Sequence, residues 1–236
     1  IGLILWSKLP DSMATHWDVN GQANGWSSKA STVFFLPCIL MIIHLFAVVL
    51  TLNDPKKTNI HKKPMTLTFW IVPVISILMN GIIYLNAFGI EVNISAAVSV
   101  LMGILFMLLG NYMPKLRQNY TIGIKLPWTL CSEENWYRTH RLGGKLFIIG
   151  GILVVLDGIA GIWLEDIIIF TIMIGVLLIC IAISVGYSFW LFKKGIWIMG
   201  CLLWHFPKSK KELYISVEFK WIQFPIDREW RFLYGL

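Results

Sequence analysis

Apolar residues fall along this chain in long blocks, not in the short alternations of a soluble fold. The runs 32–52, 65–85, 94–109, 146–164 and 167–192 are built almost wholly from Ile, Leu, Val, Phe, Met and Ala. Each approaches the roughly 20 residues that a helix needs to cross the hydrocarbon core of a bilayer. Backbone N–H and C=O groups cannot go unpaired in lipid, so each run is expected to be a helix, not an open sheet. Pro, Gly, Asn and charged residues separate the runs. The stretch 1–6 is apolar but too short to span, and reads as the end of a first helix whose beginning is missing. The pattern predicts an all-α, polytopic membrane protein with about six transmembrane helices, the first truncated at its N-terminus.

Composition agrees. Of the 236 residues 57% are hydrophobic and 14% charged, against about 25% charged in soluble domains, and the mean hydropathy is +0.70. An ordinary water-soluble enzyme is thereby excluded. The net charge of +7 would suggest nucleic acid as a partner of a soluble protein, but in a membrane protein it reports topology, and no direct nucleic-acid partner is expected. Lys56, Lys57, Lys62 and Lys63 lie in one connection, Lys115, Arg117, Lys125, Arg138, Arg141 and Lys145 in another, and Lys193 and Lys194 follow the last clear span. The opposite side carries only Lys8 and Lys29, so twelve basic residues face two. The positive-inside rule then puts segment 7–30 outside and segment 111–145 in the cytoplasm.

Three regions follow from these boundaries: an N-terminal membrane domain with its outer loop (1–52), a second membrane domain with a cytoplasmic motif at 110–145 (53–194), and a tail (195–236). In the tail, Ile215, Val217, Phe219 and Trp221 alternate with Ser216, Glu218 and Lys220 at a strand-like period of two. Its aromatics and cations suit a membrane surface, and no role is assigned to it.

The sequence offers little that could be catalytic. It contains no HExxH, GxSxG or Walker loop and no paired intramembrane aspartates. The cysteines Cys38, Cys131, Cys180 and Cys201 are widely spaced and are expected to be reduced, structural thiols. Asp157 is the one acidic residue in its apolar run, and charge at that depth is costly and often functional. Pairing with Asn80 or His44 on a neighbouring helix is the plainer reading. No enzyme activity, catalytic residue, cofactor or metal is expected.

Two polar segments carry the candidate sites. In the outer one, Leu9-Pro10-Asp11 and the pairs Asn20-Gly21 and Asn24-Gly25 predict a built loop with tight turns. It would hold His16, Trp17 and Trp26 in a fixed arrangement. Those tryptophans either recognise a ligand or sit at headgroup level. His16 and Asp18 alone do not make a metal site. In the inner segment Pro114 ends a helix, Gly123 and Pro127 punctuate an extended piece, and Ser132 caps a short helix with Glu133 and Glu134 in its first turn. Arg138, His140 and Arg141 would favour the other end of its dipole, and Gly143-Gly144 would stop it. Two readings stay open at this point: Trp128, Trp136, Tyr137 and the cations anchor the segment to anionic headgroups, or they form a recognition surface.

Gly110-Asn111-Tyr112-Met113-Pro114, Asn119-Tyr120, Gly123-Ile124-Lys125, Pro127-Trp128-Thr129-Leu130 and Trp136, with the run from Thr139 to Lys145, resemble the signature of the SdpI family of bacterial membrane proteins. The outer segment is similar to an uncharacterised membrane domain that often precedes that signature. Lys125 stands where the family pattern has Arg, keeping the charge but losing the planar fork. The resemblance implies a multi-pass protein of the bacterial cell membrane that gives immunity to a secreted killing-factor peptide. In the family's best-known scheme the loaded protein also holds a transcriptional repressor at the membrane. Expected partners are therefore the lipid bilayer, a toxic peptide and a repressor protein. The residues implicated by the inner motif are Asn111, Pro114, Asn119, Gly123, Lys125, Pro127, Trp128, Trp136, Arg138, His140 and Arg141. The alternative class is a small-solute or ion transporter, which would need a polar track through the bundle.

Overall fold

A computed structural model describes residues 1–161 and 163–194. The expectations for the 195–236 tail, and for Cys201, lie outside the described residues. A single helical turn, α1 (Gly2–Leu5), leads into an antiparallel hairpin of β1 (Ser12–Trp17) and β2 (Ala23–Ser28). A wide turn at Ser31–Phe35 opens α2 (Leu36–Leu52), which is followed by α3 (Lys62–Ala87) and α4 (Ile94–Tyr112). The short α5 (Pro127–Cys131) precedes two long helices, α6 (Glu133–Ala160) and α7 (Asp166–Lys193). Five helices are long and apolar enough to cross a membrane: Ser31–Leu52, Lys62–Ala87, Ile94–Lys115, Glu133–Ala160 and Asp166–Lys193. These five spans give the expected all-α membrane architecture, to which the structure adds a small two-stranded sheet.

The spans pack unequally. Helices α4, α6 and α7 form a tight bundle, with α4 and α6 in contact along their length. The reason is a stripe of small residues. Ala96, Gly103 and Gly110 recur every seven positions on α4 and meet Gly158, Gly151 and Gly144 on the antiparallel α6. A Cβ added at Gly103 would lie 2.6 Å from the Gly151 carbonyl oxygen, and one at Gly110 would lie 2.7 Å from that of Gly144. Backbones this close gain dispersion contacts, which drive helix association where lipid tails are as apolar as leucine. Asn93 caps α4 by accepting from Ala96 N at 2.8 Å, and its amide donates to the Gly161 carbonyl, pinning the start of α4 to the end of α6.

Two expectations about turns are corrected. Gly143 and Gly144 do not stop a helix, and the expected interfacial helix and the next span are one continuous α6. Both glycines serve close packing: a Cβ would lie 2.9 Å from Met113 Sδ at Gly143 and 2.7 Å from Pro114 Cδ at Gly144. Likewise Asn24-Gly25 is no turn but part of β2, at the irregularity where Gly25 pairs with His16. Only Gly21 of the two Asn-Gly glycines has a positive φ, +73°. The reduced thiols expected are found at Cys38 and Cys180, but Cys131 is disulfide-bonded.

Helices α2 and α3 stand beside the bundle and are buried only near their ends. Thr51 is the buried residue of α2, and Pro64, Ile83 and Tyr84 are those of α3. Their flanks carry exposed Ile39, Ile42, Phe46, Trp70 and Ile77, the composition of a lipid-facing surface.

Candidate functional site

The connections sort into two ends, separated by about 39 Å if the 26 residues of α3 rise 1.5 Å each. One end carries the hairpin and the α3–α4 and α6–α7 turns. The other carries the α2–α3 connection, the 113–132 segment and the last turn of α7.

At the hairpin end, Leu9 and Met13 are buried against Val33, Ile83 and Tyr84, with Leu5, Trp17, Leu36 and Ala87 around them. Along β1 Met13 and Ala14 are both buried, whereas Ser12 and His16 are exposed. The tip is closed by Asp18, whose Oδ1 accepts from Asn20 N at 2.9 Å and Gln22 N at 3.0 Å. His16 donates from Nδ1 to Asn24 Oδ1 at 2.5 Å across the strands. His16 and Asp18 are thus engaged in separate parts of the hairpin, and among the described residues no three His, Cys, Asp or Glu side chains gather as metal ligands. The two hairpin tryptophans part company. Trp17 packs on the apolar seat, whereas Trp26 is 61% exposed. Lys29 pairs with Asp11 at 3.3 Å and lies 5.5 Å over the Trp6 ring.

The opposite end is a polar network built into a loop. Asn119, fully buried, accepts from Thr121 N and Ile122 N and donates to the Arg117 carbonyl, making a tight local turn. Gly123 follows with φ +123°, and a Cβ there would collide with His140 Nε2. That nitrogen instead accepts from Ile124 N at 2.9 Å, while Nδ1 donates to the Trp136 carbonyl at 2.7 Å. The imidazole is therefore the neutral Nδ1–H tautomer, held in place from two sides. Trp136, only 2% exposed, stacks on His140 with centroids 4.0 Å apart and donates to the Leu116 carbonyl at 2.8 Å.

A second cluster joins the loop to α7. Ser132 caps α6 through Asn135 N. Asn135 Oδ1 accepts from Thr139 Oγ1 and Ser188 Oγ, and its amide donates to the Ser188 carbonyl at 3.0 Å. Ser188 Oγ in turn accepts from Trp128 Nε1 at 2.9 Å. Thr129 Oγ1 accepts from Leu126 N and faces the Ile124 and Leu126 carbonyls. Buried polar groups are costly unless paired, and here they are paired to each other.

The residues singled out from the sequence thus separate into builders and presenters. Asn119, Gly123, Trp128, Trp136 and His140 shape the loop, and Pro114 packs against Gly144. Burial keeps Trp136 from anchoring at headgroups. Asn111, Lys125, Pro127, Arg138 and Arg141 are exposed on its outside. Arg138 Nε donates to Glu134 one turn earlier, and Arg141 approaches the Tyr137 hydroxyl at 3.4 Å. Beside them lies a cleft of about 480 Å³ lined by Asn59, Lys115, Arg117, Gln118, Glu133 and Tyr137, among others. Sequence reasoning missed Asp54, Gln118, Asn135 and Ser188. The signals were present: an acid in a basic connection, and Asn and Ser on the inward faces of α6 and α7.

The chain is 30% identical over 197 residues to the Immunity protein SdpI of Bacillus subtilis (strain 168), covering 81% of this chain and 89% of that protein. Residues 115–188 match the SdpI/YfhL protein family, and residues 1–41 match a domain of unknown function, DUF1648. No solved structure matches.

Proposed function

This chain belongs to the SdpI family of membrane proteins, and from that premise we propose that it is an integral membrane immunity protein, protecting its cell against a secreted antimicrobial or killing-factor peptide. The observation that carries the reading is its identity to an immunity protein over most of both chains. The architecture suits such a role, with an ordered hairpin at one end of a membrane bundle and a basic, structured face at the other.

The proposed orientation has the hairpin outside and the 113–145 face in the cytoplasm, supported by twelve basic residues on the latter side against two on the former. A peptide arriving from outside meets the hairpin first. Trp26 is its exposed aromatic anchor, beside the bonded His16–Asn24 pair, while Trp17 holds the hairpin to the membrane helices. On the inner face Lys125, Arg138 and Arg141, with Lys115 and Arg117 at the cleft, fit an acidic surface of a regulatory protein such as a repressor. The reading is non-enzymatic: His140 spends both ring nitrogens on structural bonds, and His16 spends Nδ1 on Asn24 within the hairpin.

One observation favours a transport role: Ser99 Oγ and the Asp157 carboxylate are buried facing each other, and neither has a further hydrogen-bond partner among the described residues. Asp157 lies one turn from the end of α6 and faces α4, not Asn80 or His44. Deletion of the gene in its host, exposure to spent medium from the parent strain, and complementation at equal membrane abundance separate the two. Immunity predicts sensitisation reversed by the wild-type chain and equally by Asp157→Asn. A growth defect that follows the concentration of a solute or ion, and that Asp157→Asn fails to rescue, would point to transport.

A further inference from the structure

The connection between α2 and α3 lies outside both matched regions, 1–41 and 115–188, and nothing in the family assignment gives it a role. Its residues nevertheless grip the inner loop. Asp54 is 4% exposed, and its carboxylate accepts three bonds: from Lys56 N at 2.7 Å, Tyr120 N at 2.9 Å and Thr121 Oγ1 at 2.5 Å. Lys56 Nζ donates to Gln118 Oε1 at 2.5 Å, and Asn59 Nδ2 donates to the Gln118 carbonyl at 2.8 Å. The Gln118 amide reaches on to the Thr129 and Leu130 carbonyls at 3.0 and 2.9 Å. Gln118 thus joins the α2–α3 connection to α5, and Asp54 fixes the backbone of the turn that Asn119 makes. Bonds to a charged acceptor are roughly twice as strong as neutral ones.

The same two helices carry the hairpin at their far ends. Val33 and Leu36 at the start of the α2 span, and Ile83, Tyr84 and Ala87 at the end of α3, form the seat of Leu9, Met13 and Trp17. A Cβ on Gly2 would lie 2.5 Å from the Tyr84 hydroxyl, so the N-terminal turn also rests on α3. Between these ends α2 and α3 bury nothing but Thr51 and Pro64, which lie beside the connection itself. The pair is a strut held at two points, unlike α4 and α6, which are held along their length by backbone contact.

We propose that α2 and α3 link the hairpin mechanically to the inner loop, with Asp54 and Gln118 as the positioning residues that latch residues 118–122 in the conformation described. Displacing the hairpin shifts the strut, and the shift is delivered to the loop through the Asp54 and Gln118 bonds. Release of the latch frees the Tyr120 amide and the turn beneath the exposed cations, so occupancy of one face alters what the other presents. The inference deepens the immunity reading by supplying its path across the membrane, and rests on that reading only for the identity of the signal.

The test is hydrogen exchange followed by mass spectrometry on the full chain in nanodiscs, with no toxin required. Asp54→Asn keeps the size of the side chain but sets an amide N–H against donors. It is expected to speed exchange in 117–125 on the order of tenfold, with α6 and α7 unchanged. Val33→Ala, a small deletion at the hairpin seat, is expected to speed the same distant segment, and to add nothing in an Asp54→Asn background. Asp166→Asn, beside the hairpin tip at Gly21 but on α7, is expected to leave 117–125 at the wild-type rate. Exchange at 117–125 that ignores Val33→Ala, that sums in the double variant, or that responds equally to Asp166→Asn would overturn the proposal. Met13→Leu supplies the same reading if Val33→Ala does not accumulate. A chain that gives no peptide protection but shows this coupling would contradict the immunity reading and leave the strut standing.

Discussion

At the hairpin end, an apolar seat of Leu9, Met13, Val33, Ile83 and Tyr84 holds a small sheet whose outer face is nearly free. At the other end, Asp54, Gln118, Asn119, Thr129, Asn135, His140 and Ser188 interlock through hydrogen bonds, several of them fully buried. Apolar contact is non-directional and tolerates tilt, whereas a hydrogen-bond network fixes atoms and fails sharply when one partner leaves. Under the proposed function the first end would receive the external peptide, and the second would hold a defined shape for a partner. The central bundle separates them and has its own chemistry, backbone against backbone.

The largest effect is expected where that separation is built. Gly151→Leu forces a side chain into the 2.6 Å gap to the Gly103 carbonyl, whereas Gly175→Leu on α7 meets nothing within 4 Å. The first is expected to cost more than the roughly 1–3 kcal/mol of ordinary overpacking, because backbone cannot move aside as a side chain can. Membrane abundance and thermal melting in detergent should show loss for Gly151→Leu and near-normal behaviour for Gly175→Leu.

Next comes the polar end. Asn135→Ala removes the acceptor of Thr139 and Ser188 and the donor to the Ser188 carbonyl. Each orphaned buried group costs about 1–3 kcal/mol, so a clear drop in melting temperature is expected, with the 126–132 segment loosening first. The hairpin tryptophans should then diverge. Trp17→Ala is expected to lower stability, by less than the about 3–5 kcal/mol of a fully buried Trp, since Trp17 is only half-buried. Trp26→Ala is expected to leave melting unchanged while weakening protection against the peptide. Equal behaviour of the two in both assays would break the division between seat and face.

The smallest change in stability is expected at Arg138. Its bond to Glu134 is solvent-exposed, so Arg138→Lys should leave folding unaffected. If the guanidinium fork recognises a partner, the same change impairs repressor capture at equal membrane abundance. Unchanged capture would return Arg138 to headgroup anchoring.

Much of this arrangement was legible in the sequence, for identifiable reasons. Spans declare themselves by run length, because lipid permits few alternatives. The inner motif could be located from Pro114, Gly123 and Pro127, and Ser132 as a cap is observed. The division of that motif into buried builders and exposed presenters was not legible: Trp136 and Tyr137 are adjacent aromatics, and only packing reveals that one is inside. Gly143-Gly144 reads as a stop signal because glycine weakens helices in water. In a membrane bundle the same residues permit close approach, and α6 runs through them. Asp54 was hidden by distance, since its partners lie 66 and 67 positions away.

The two-ended arrangement is tested most directly by the accessibility of single cysteines to a membrane-impermeant maleimide in intact cells, at Gln22→Cys on the hairpin and Thr58→Cys on the α2–α3 connection. Both native residues are exposed. Labelling is expected at position 22 in intact cells, and at position 58 only after permeabilisation. Labelling of position 58 from outside, with position 22 protected, would invert the protein in its membrane and contradict the assignment of both faces.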